Sequence, residues 1–202
     1  MNQSAKNSRV SIKVIAATGL LTAVAVVLQY IELAIPIMPS FIKLDFSDIP
    51  ELIGAVFFGP VIGIVIAFLK NLIHMLVSQS GFVGELSNFL LGASFALTAG
   101  IVYRVKKGIP GVILAGILGS VEMALISVPT NYFLIYPLYY NVMGFPKEAV
   151  LGMYKVLMPS IEGIPDGLLI FNLPFTLVKG LICTVFTVIV YKPLRLILKT
   201  DR

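Results

Sequence analysis

The thirteen residues Phe41-Ile-Lys-Leu-Asp-Phe-Ser-Asp-Ile-Pro-Glu-Leu-Ile53 lie between two hydrophobic stretches of membrane length. They contain Lys43, Asp45, Asp48 and Glu51, which are four of the 25 charged residues of the chain (15 Lys and Arg plus 10 Asp and Glu). Charged groups are costly beside hydrocarbon, and they usually have a function where they occur. We therefore expect this segment to serve a ligand rather than the fold.

The composition predicts an all-α, polytopic membrane protein with a single domain over residues 1–202. Hydrophobic residues make up 58% of the chain, charged residues make up 12%, and the mean hydropathy is +0.98. A soluble domain carries roughly twice that charged fraction. We expect no removable signal peptide. A single cysteine, Cys183, leaves no disulfide or thiolate metal site. The net charge of +5 is attributed to the cytoplasmic face of a membrane protein rather than to nucleic-acid binding.

Six helical segments are predicted, because a helix that crosses about 30 Å of hydrocarbon needs about 20 residues. They cover about residues 12–31, 49–58, 61–78, 86–103, 110–137 and 167–191. Gly59-Pro60 predicts a tight turn between the second and third segments, since proline lacks an N–H and restricts the preceding residue. The second segment is ~15 Å long and needs support from its neighbours. A short surface helix is expected within residues 149–158.

Basic residues predict that both termini are cytoplasmic and that the protein lies in the cell membrane. With the N-terminus inside, the inner loops and tails contain ten basic residues: Lys6, Arg9, Lys13, Arg104, Lys106, Lys107, Lys192, Arg195, Lys199 and Arg202. The outer loops contain three: Lys43, Lys147 and Lys155. Cytoplasmic loops retain an excess of positive charge, so the ten-to-three bias favours this orientation.

Four ionisable residues fall inside predicted helices, namely Lys70, His74, Glu122 and Lys179. Such residues need a function or a partner in the membrane. An internal ion pair of Glu122 with Lys70 or Lys179 is one explanation. His74 has no second His or Cys nearby, so we expect a packed or hydrogen-bonded side chain rather than a metal ligand.

Amide side chains predict a pocket that opens outward. Asn88, Asn131 and Asn172 lie near the outer ends of the last three helices, at the level of the segment with Lys43 and Asp45. Amides supply both donors and acceptors to a neutral polar ligand. Helix-to-helix hydrogen bonding is the alternative for each amide alone. Nearby aromatic residues could stack on a planar ring: Phe41, Phe82, Phe89, Tyr132 and Phe175.

Gly19 and Ala23 form a small-xxx-small pair on the first helix. Small residues at this spacing allow another helix to approach closely, either within the chain or from a separate membrane subunit. The chain has no phosphate-binding G-x-x-x-x-G-K-[ST], no H-E-x-x-H and no G-x-S-x-G. Ligand binding without catalysis is therefore the simplest interpretation.

Several blocks resemble a known family, in the same order along the chain: Leu44-Asp-Phe-Ser-Asp-Ile-Pro50, Phe58-Gly-Pro60, Lys70-Asn71, Asn88-Phe-Leu-Leu-Gly-Ala-Ser-Phe95, Asn131-Tyr132 and Lys179-Gly180. The chain resembles the riboflavin-specific substrate-binding (S) components of energy-coupling-factor (ECF) vitamin transporters. This resemblance implies a six-helix membrane protein that captures riboflavin from outside. It also implies three partners, a transmembrane coupling subunit and two cytoplasmic ATPases. Riboflavin is then the transported ligand, and no cofactor is implied.

The resemblance also implies the site. Position by position, substrate contacts fall on the 41–45 segment and on three later helices: Phe41, Ile42, Lys43, Leu44, Asp45, Asn88, Asn131, Thr176 and Lys179. The family commonly has asparagine where this chain has Thr176, and a hydroxyl replaces one amide hydrogen bond but not both. The family's Ala-x-x-x-Ala docking pair appears here as Gly19 and Ala23. Glu122 has no counterpart.

The preferred hypothesis is a high-affinity riboflavin-binding subunit of an ATP-driven vitamin uptake transporter. Two other classes remain open. One is a membrane-embedded enzyme with His74, Lys70 and Glu122 as an acid–base set. The other is a stand-alone ion-coupled carrier with Glu122 as its proton site.

Overall fold

The structure, a computed structural model, describes residues 11–78 and 80–197. The elements are α1 (Ile12–Tyr30), β1 (Leu33–Ala34), β2 (Lys43–Leu44), α2 (Asp48–Phe58), α3 (Pro60–His74), α4 (Val83–Val105), α5 (Gly108–Thr130), α6 (Tyr136–Val142), α7 (Lys147–Leu157), α8 (Ile164–Gly167) and α9 (Leu173–Ile197). A 3₁₀ turn, Met75–Val77, extends α3. Two π-helical segments, Asn131–Ile135 and Leu168–Asn172, join α5 to α6 and α8 to α9.

Five helical segments are long and apolar enough to cross a membrane. They are Ile12–Tyr30, Pro60–Val77, Val83–Val105, Gly108–Val142 and Ile164–Ile197. The predicted helical, multi-pass class is therefore confirmed. A helix is also present at the second predicted segment, but α2 has only 11 residues, ~16 Å at the α-helical rise. Six transmembrane helices thus stay a prediction. The predicted surface helix is α7.

The predicted turn at Gly59-Pro60 is confirmed. Gly59 has φ +107°, a backbone conformation that a residue with a Cβ rarely adopts, and Pro60 is the first residue of α3. A proline fits this position because its missing N–H would have no helical partner there. The turn lets the short α2 fold back beside α3.

The last two long helical segments extend beyond their predicted ends, and each contains a π-helical segment. Pro137 and Pro174 have no N–H to donate to the carbonyls of Phe133 and Ile170, four residues earlier. The backbone adapts through wider turns at Asn131–Ile135 and Leu168–Asn172. The predicted boundaries, 110–137 and 167–191, were therefore too short.

The helices pack through small residues and a continuous apolar core. α5 packs along α4 on one side and along α9 on the other. A Cβ on Gly180 would lie only 2.6 Å from Ser120 Oγ, so glycine allows the close approach of α9 to α5. Buried residues of the main core include Leu52, Phe95 and Met123.

A two-residue antiparallel ribbon is a departure from the all-α prediction. Leu33 pairs with Leu44 and Ala34 pairs with Lys43, which closes the segment between α1 and α2 into a loop. Strands this short have no sequence signal of their own. The ribbon places the predicted substrate segment across the ends of the helices.

Candidate substrate-binding site

A cavity of about 580 Å³ lies between the 40–48 segment and one end of the helical bundle. Its walls come from the end of α3, the first half of α4, the two π segments and the start of α9. Pockets of roughly 300–1,000 Å³ are typical for small-molecule ligands. We call this end of the molecule the cavity end.

Most of the predicted contact residues line this cavity: Phe41, Ile42, Lys43, Asp45, Asn88, Asn131, Thr176 and Lys179. Leu44 is not among the lining residues that the structure describes. It follows Lys43 in β2, and successive side chains of a strand point to opposite faces. Lys43 itself lies at the exposed rim and forms an ion pair with Glu32.

A buried cluster of charged side chains forms part of the cavity wall and continues behind it. Lys179 Nζ lies 2.9 Å from Asp45 Oδ2 and 3.1 Å from Asp48 Oδ2. Lys70 Nζ lies 2.9 Å from Asp48 Oδ1 and 2.6 Å from Glu51 Oε1. All five residues are buried, with at most 7% exposure. We call these residues the charge cluster. It fixes the loop after β2 and the start of α2 to α3 and α9.

Asp45 is the member of the charge cluster that lies in the loop. Burial alone would raise the pKa of its carboxyl group, but the charges of Lys179 and Lys70 and a hydrogen bond from Ser47 hold the pKa well below its usual range. The Ser47 N–H donates to Asp45 Oδ1 at 2.9 Å, and the Ser47 hydroxyl donates to the same oxygen. The ionised carboxylate is thus the form that holds the loop in place.

The proposed ion pairs of Glu122 are wrong. Lys70 and Lys179 both pair with acidic residues of the 45–51 segment. No ion pair within residues 11–78 and 80–197 involves Glu122, which lies on α5 between its two ends. The actual partners were not recognised in the sequence because they are distant along the chain: Lys179 and Asp45 are 134 residues apart.

Two of the predicted amides lie in the π segments. Asn131 is buried and donates from Nδ2 to the Ser127 carbonyl at 2.7 Å. Its Oδ1 accepts no hydrogen bond from the described residues, so this oxygen can accept one from a ligand in the cavity. π segments often occur at functional sites because the wider turn changes the direction of side chains.

Asn172, in the other π segment, belongs to a buried network with two tyrosines. The Tyr154 hydroxyl donates to Asn172 Oδ1 at 2.6 Å, and Asn172 Nδ2 donates to the Tyr136 hydroxyl at 3.2 Å. The two tyrosine hydroxyls are 2.5 Å apart. This network ties α6, α7 and the start of α9 together on one side of the cavity. Burial raises the pKa of Tyr154, which keeps its hydroxyl protonated.

Aromatic side chains form one wall of the cavity, but only some of the predicted ones. The Phe41 ring packs edge-on against Tyr136 and Tyr154, with centroids 6.1 and 6.0 Å apart. Phe175 also lines the cavity. Phe82, Phe89 and Tyr132 are not among the described lining residues. Phe89 instead packs on Phe68, and Phe82 and Tyr132 are exposed.

His74 is hydrogen-bonded, as predicted. Its Nδ1 lies 2.9 Å from Glu85 Oε1, and its ring is 5.2 Å from the Tyr30 ring. Ser78 and Ser80 donate to the other Glu85 oxygen at 2.8 and 2.9 Å. These residues lie at the edge of the cavity. The acid–base set of the alternative enzyme hypothesis is not assembled, because Lys70 belongs to the charge cluster and His74 pairs with Glu85.

Gly19 and Ala23 lie on an exposed face of α1. A Cβ on Gly19 would have no atom within 4 Å, whereas the buried face of α1 carries Thr18, Thr22, Ala25 and Gln29. Packing of this small pair inside the chain is therefore excluded. The pair is available for contact with another helix in the membrane.

Some site residues were missed from the sequence. Asp48 belongs to the charge cluster, and both Asp48 and Tyr136 line the cavity. Tyr154 is fully buried beneath Phe41, although it lies on a helix that was predicted to be at the surface. The only hint is the hydrophobic face of α7, where Val150 and Tyr154 are four residues apart and both are buried.

The fold and the site define a class of protein, a membrane-embedded binding protein with a polar and aromatic cavity at one end of a helical bundle. Residues 13–191 match the family described as "ECF transporter, substrate-specific component". This chain belongs to that family. It is a multi-pass membrane protein.

Curated relatives and a solved structure agree with this assignment. The chain is 35% identical over 181 residues to "Riboflavin transporter RibU" of Staphylococcus aureus (strain TCH60), which covers 90% of this chain and 89% of the relative. It is 26% identical over 187 residues to "Riboflavin transporter FmnP" of Bacillus subtilis (strain 168), covering 91% and 93%. A structure described as "Structure and mechanism of the S component of a bacterial ECF transporter" matches with TM-score 0.72 and 34% identity, covering 93% of this chain and 98% of that one.

Proposed function

We propose that this protein binds riboflavin and serves as the substrate-specific subunit of an ATP-driven uptake transporter. The observation that carries this proposal is the cavity, whose amide and aromatic lining suits a flat, polar, uncharged ring system with a hydroxylated chain. The riboflavin transporters among the relatives support the same ligand.

The charged residues of the site form ion pairs with one another, and these pairs stabilise the protein more than they contact the ligand. The ammonium group of Lys179 is shared between Asp45 and Asp48, so it carries little free charge into the cavity. We therefore assign Lys179 to positioning of the loop that carries Phe41. A ligand without charge avoids competing for these ion pairs, since desolvating an unpaired charge is costly.

Amides and aromatic rings make the direct contacts in this proposal. Asn131 Oδ1 accepts a hydrogen bond from the ligand, and Asn88 and Thr176 supply further polar groups from α4 and α9. Phe41 and Phe175 contact the ring system, where offset or edge-on packing contributes about 0.5–1.5 kcal/mol per aromatic pair. Ile42 adds apolar surface.

The basic residues support an orientation with the cavity end outside and both termini in the cytoplasm. Arg104, Lys106, Lys107, Lys192 and Arg195 lie at the opposite end of the helices from the cavity. We call this the basic end. Positive charge is retained on the cytoplasmic side. Four further residues of the charge count, Lys6, Arg9, Lys199 and Arg202, lie outside the described residues.

Coupling to ATP hydrolysis requires partners, and the proposal assigns these to a transmembrane coupling subunit and two cytoplasmic ATPases. The exposed Gly19 and Ala23 on α1 are the proposed contact with the coupling subunit. Close helix approach in membranes depends on such small residues, because backbones can then pack directly.

The experiment is a titration of the detergent-purified protein with riboflavin, followed by quenching of flavin fluorescence. Asn131→Ala should weaken binding more than tenfold, which is ~1.4 kcal/mol or more. Asn141→Ala is the matched control, because Asn141 is an exposed asparagine of α6 outside the described cavity lining. Equal affinities of the unsubstituted protein and Asn131→Ala would reject the assigned pocket, and no binding of riboflavin by the unsubstituted protein would reject the ligand.

A further inference from the structure

A second, larger cavity of about 1270 Å³ lies at the basic end. It is open on one side and is lined by the turn between α2 and α3, the turn between α4 and α5, and the last two turns of α9. Four cationic side chains line it: Arg104, Lys107, Lys192 and Arg195. None of its described lining residues is acidic. We call it the basic cavity.

The charge of the basic cavity is not balanced within the described part of the chain. The ion pairs of residues 11–78 and 80–197 involve Lys43, Lys70, His74 and Lys179, all at the cavity end. The four cations of the basic cavity are exposed. Lys107 Nζ lies 4.8 Å from the centre of the Tyr103 ring, which stabilises a cation without neutralising it. The cavity therefore presents a concentrated positive potential.

Aromatic side chains in the wall of the basic cavity contact one another. The Tyr103 and Tyr191 hydroxyls are 2.6 Å apart, and the Phe57 ring stacks on Tyr191 with a centroid distance of 5.4 Å. α3 and α5 begin at this cavity, and α2, α4 and α9 end there, so the helix dipoles offset one another and the positive potential comes from the cations.

The rim of the basic cavity is apolar. Leu196 is 74% exposed and lines the cavity, and Val105 and Ile197 are also exposed beside it. Large apolar side chains at the ends of membrane-spanning helices contact lipid. A ligand at this position can thus have a charged part among the cations and an apolar part in the bilayer.

We propose that the basic cavity binds the phosphate headgroup of an anionic glycerophospholipid, with the acyl chains lying over the apolar rim. The four cations hold the headgroup, and the aromatic walls shape the space for its glycerol. Basic pockets between transmembrane helices recognise anionic headgroups in this way. A cytoplasmic protein subunit is the competing occupant. A protein occupant is disfavoured because the charged residues of the cavity are all cationic and its apolar rim lies in the bilayer. No apolar surface of the described cavity lining therefore faces water, where a cytoplasmic subunit would contact it.

Native mass spectrometry of the full-length protein in detergent tests the proposal, with phosphatidylglycerol and phosphatidylcholine as probes. Phosphatidylglycerol should bind at least tenfold more tightly than phosphatidylcholine. Lys192→Gln/Arg195→Gln should weaken phosphatidylglycerol binding by about thirtyfold, because each cation near an anionic surface contributes roughly fivefold. A second double variant, Arg104→Gln/Lys107→Gln, should also weaken phosphatidylglycerol binding. Agreement between the two variants would show that the loss does not come from a folding defect in the first.

The matched control is Lys147→Gln/Lys155→Gln, which removes two exposed lysines of α7 at the cavity end. This control should retain phosphatidylglycerol like the unsubstituted protein. Equal retention in all three variants would overturn the proposal. Full displacement of the lipid by millimolar inorganic phosphate would assign the site to free phosphate instead. Loss of binding to the energising subunits with unchanged lipid retention would assign the surface to protein docking and would also overturn it.

Discussion

Replacement of Lys179 by methionine tests whether this residue positions the loop through the charge cluster. Methionine keeps most of the volume of lysine and removes the ammonium group. The charge cluster has three carboxyl groups, on Asp45, Asp48 and Glu51, and two ammonium groups, on Lys70 and Lys179. Burial raises the pKa of Glu51 to about 8, so this carboxyl group is mostly protonated at neutral pH. The charge of the cluster is therefore −2 + 2 = 0, and Lys179→Met makes it −1.

The expected cost follows from the two short contacts of Lys179. Asp45 and Asp48 each lie within 3.1 Å of its Nζ, and both carboxylates are buried. Removal of one partner from a buried ion pair costs about 3–5 kcal/mol, since the remaining charges stay desolvated. For a chain of this size, this corresponds to an apparent unfolding temperature lower by roughly 10 °C. The assay is thermal unfolding of the purified protein without ligand.

Glu51→Gln is the control, because it changes a residue of the same cluster without changing the charge at neutral pH. Glu51 is fully buried, and neither of its oxygens accepts a hydrogen bond within the described residues, although Oε1 lies 2.6 Å from Lys70 Nζ. We expect it to cost about 1 kcal/mol or less, since the amide oxygen keeps the contact with Lys70. Lys179→Met/Glu51→Gln keeps the charge at −1 and should therefore be about as unstable as Lys179→Met alone.

Two results would refute this reasoning. Lys179→Met could unfold at the temperature of the unsubstituted protein, which would mean that the charge cluster contributes little. Glu51→Gln could instead be destabilised as much as Lys179→Met, which would mean that shape and not charge balance determines stability at this position.

Two further predictions concern the loop and the tyrosine network. The pKa of Asp45 is lowered in the folded protein, so its ion pair contributes fully above the ordinary carboxyl value of about 3.9 and is lost as the pH falls through the lowered pKa. The stabilities of the unsubstituted protein and Asp45→Asn, measured by unfolding curves, should therefore differ by a constant amount between pH 5 and 8. A difference that disappears at pH 5 would contradict this prediction. Tyr154→Phe leaves Asn172 Oδ1 without its donor; it should cost about 1–3 kcal/mol and weaken riboflavin binding in a fluorescence titration. Tyr140→Phe removes a hydroxyl that has no hydrogen bond to any described residue, so it should change neither.

The long helices could be predicted because their signals are local. Hydropathy over 20 residues locates them, and Gly59-Pro60 marks the turn before α3 because its conformation depends on the two residues themselves. The level of Asn88 and Asn131 in the bundle followed from the helix order. Most of the predicted contact residues also line the cavity, but their assignment came from the family resemblance and not from these local signals.

The pairing of charges could not be predicted, because it depends on contacts between distant segments. Lys179 reaches Asp45 across 134 residues, and no periodicity relates them. The π segments were missed because their composition equals that of an α-helix, although Pro137 and Pro174 are a usable signal after the fact. Tyr154 was missed because α7 resembles an exposed helix until its partner residues are known.

The two π segments have a consequence for how such a binding protein can diversify. A π turn accommodates one extra residue without rotating the helix on either side of it. Loss of a single codon within Asn131–Ile135 or Leu168–Asn172 would thus redirect one wall of the cavity, while the transmembrane packing of α5 and α9 kept its register. Ligand preference in this architecture can therefore change through one-residue length changes as well as through substitution.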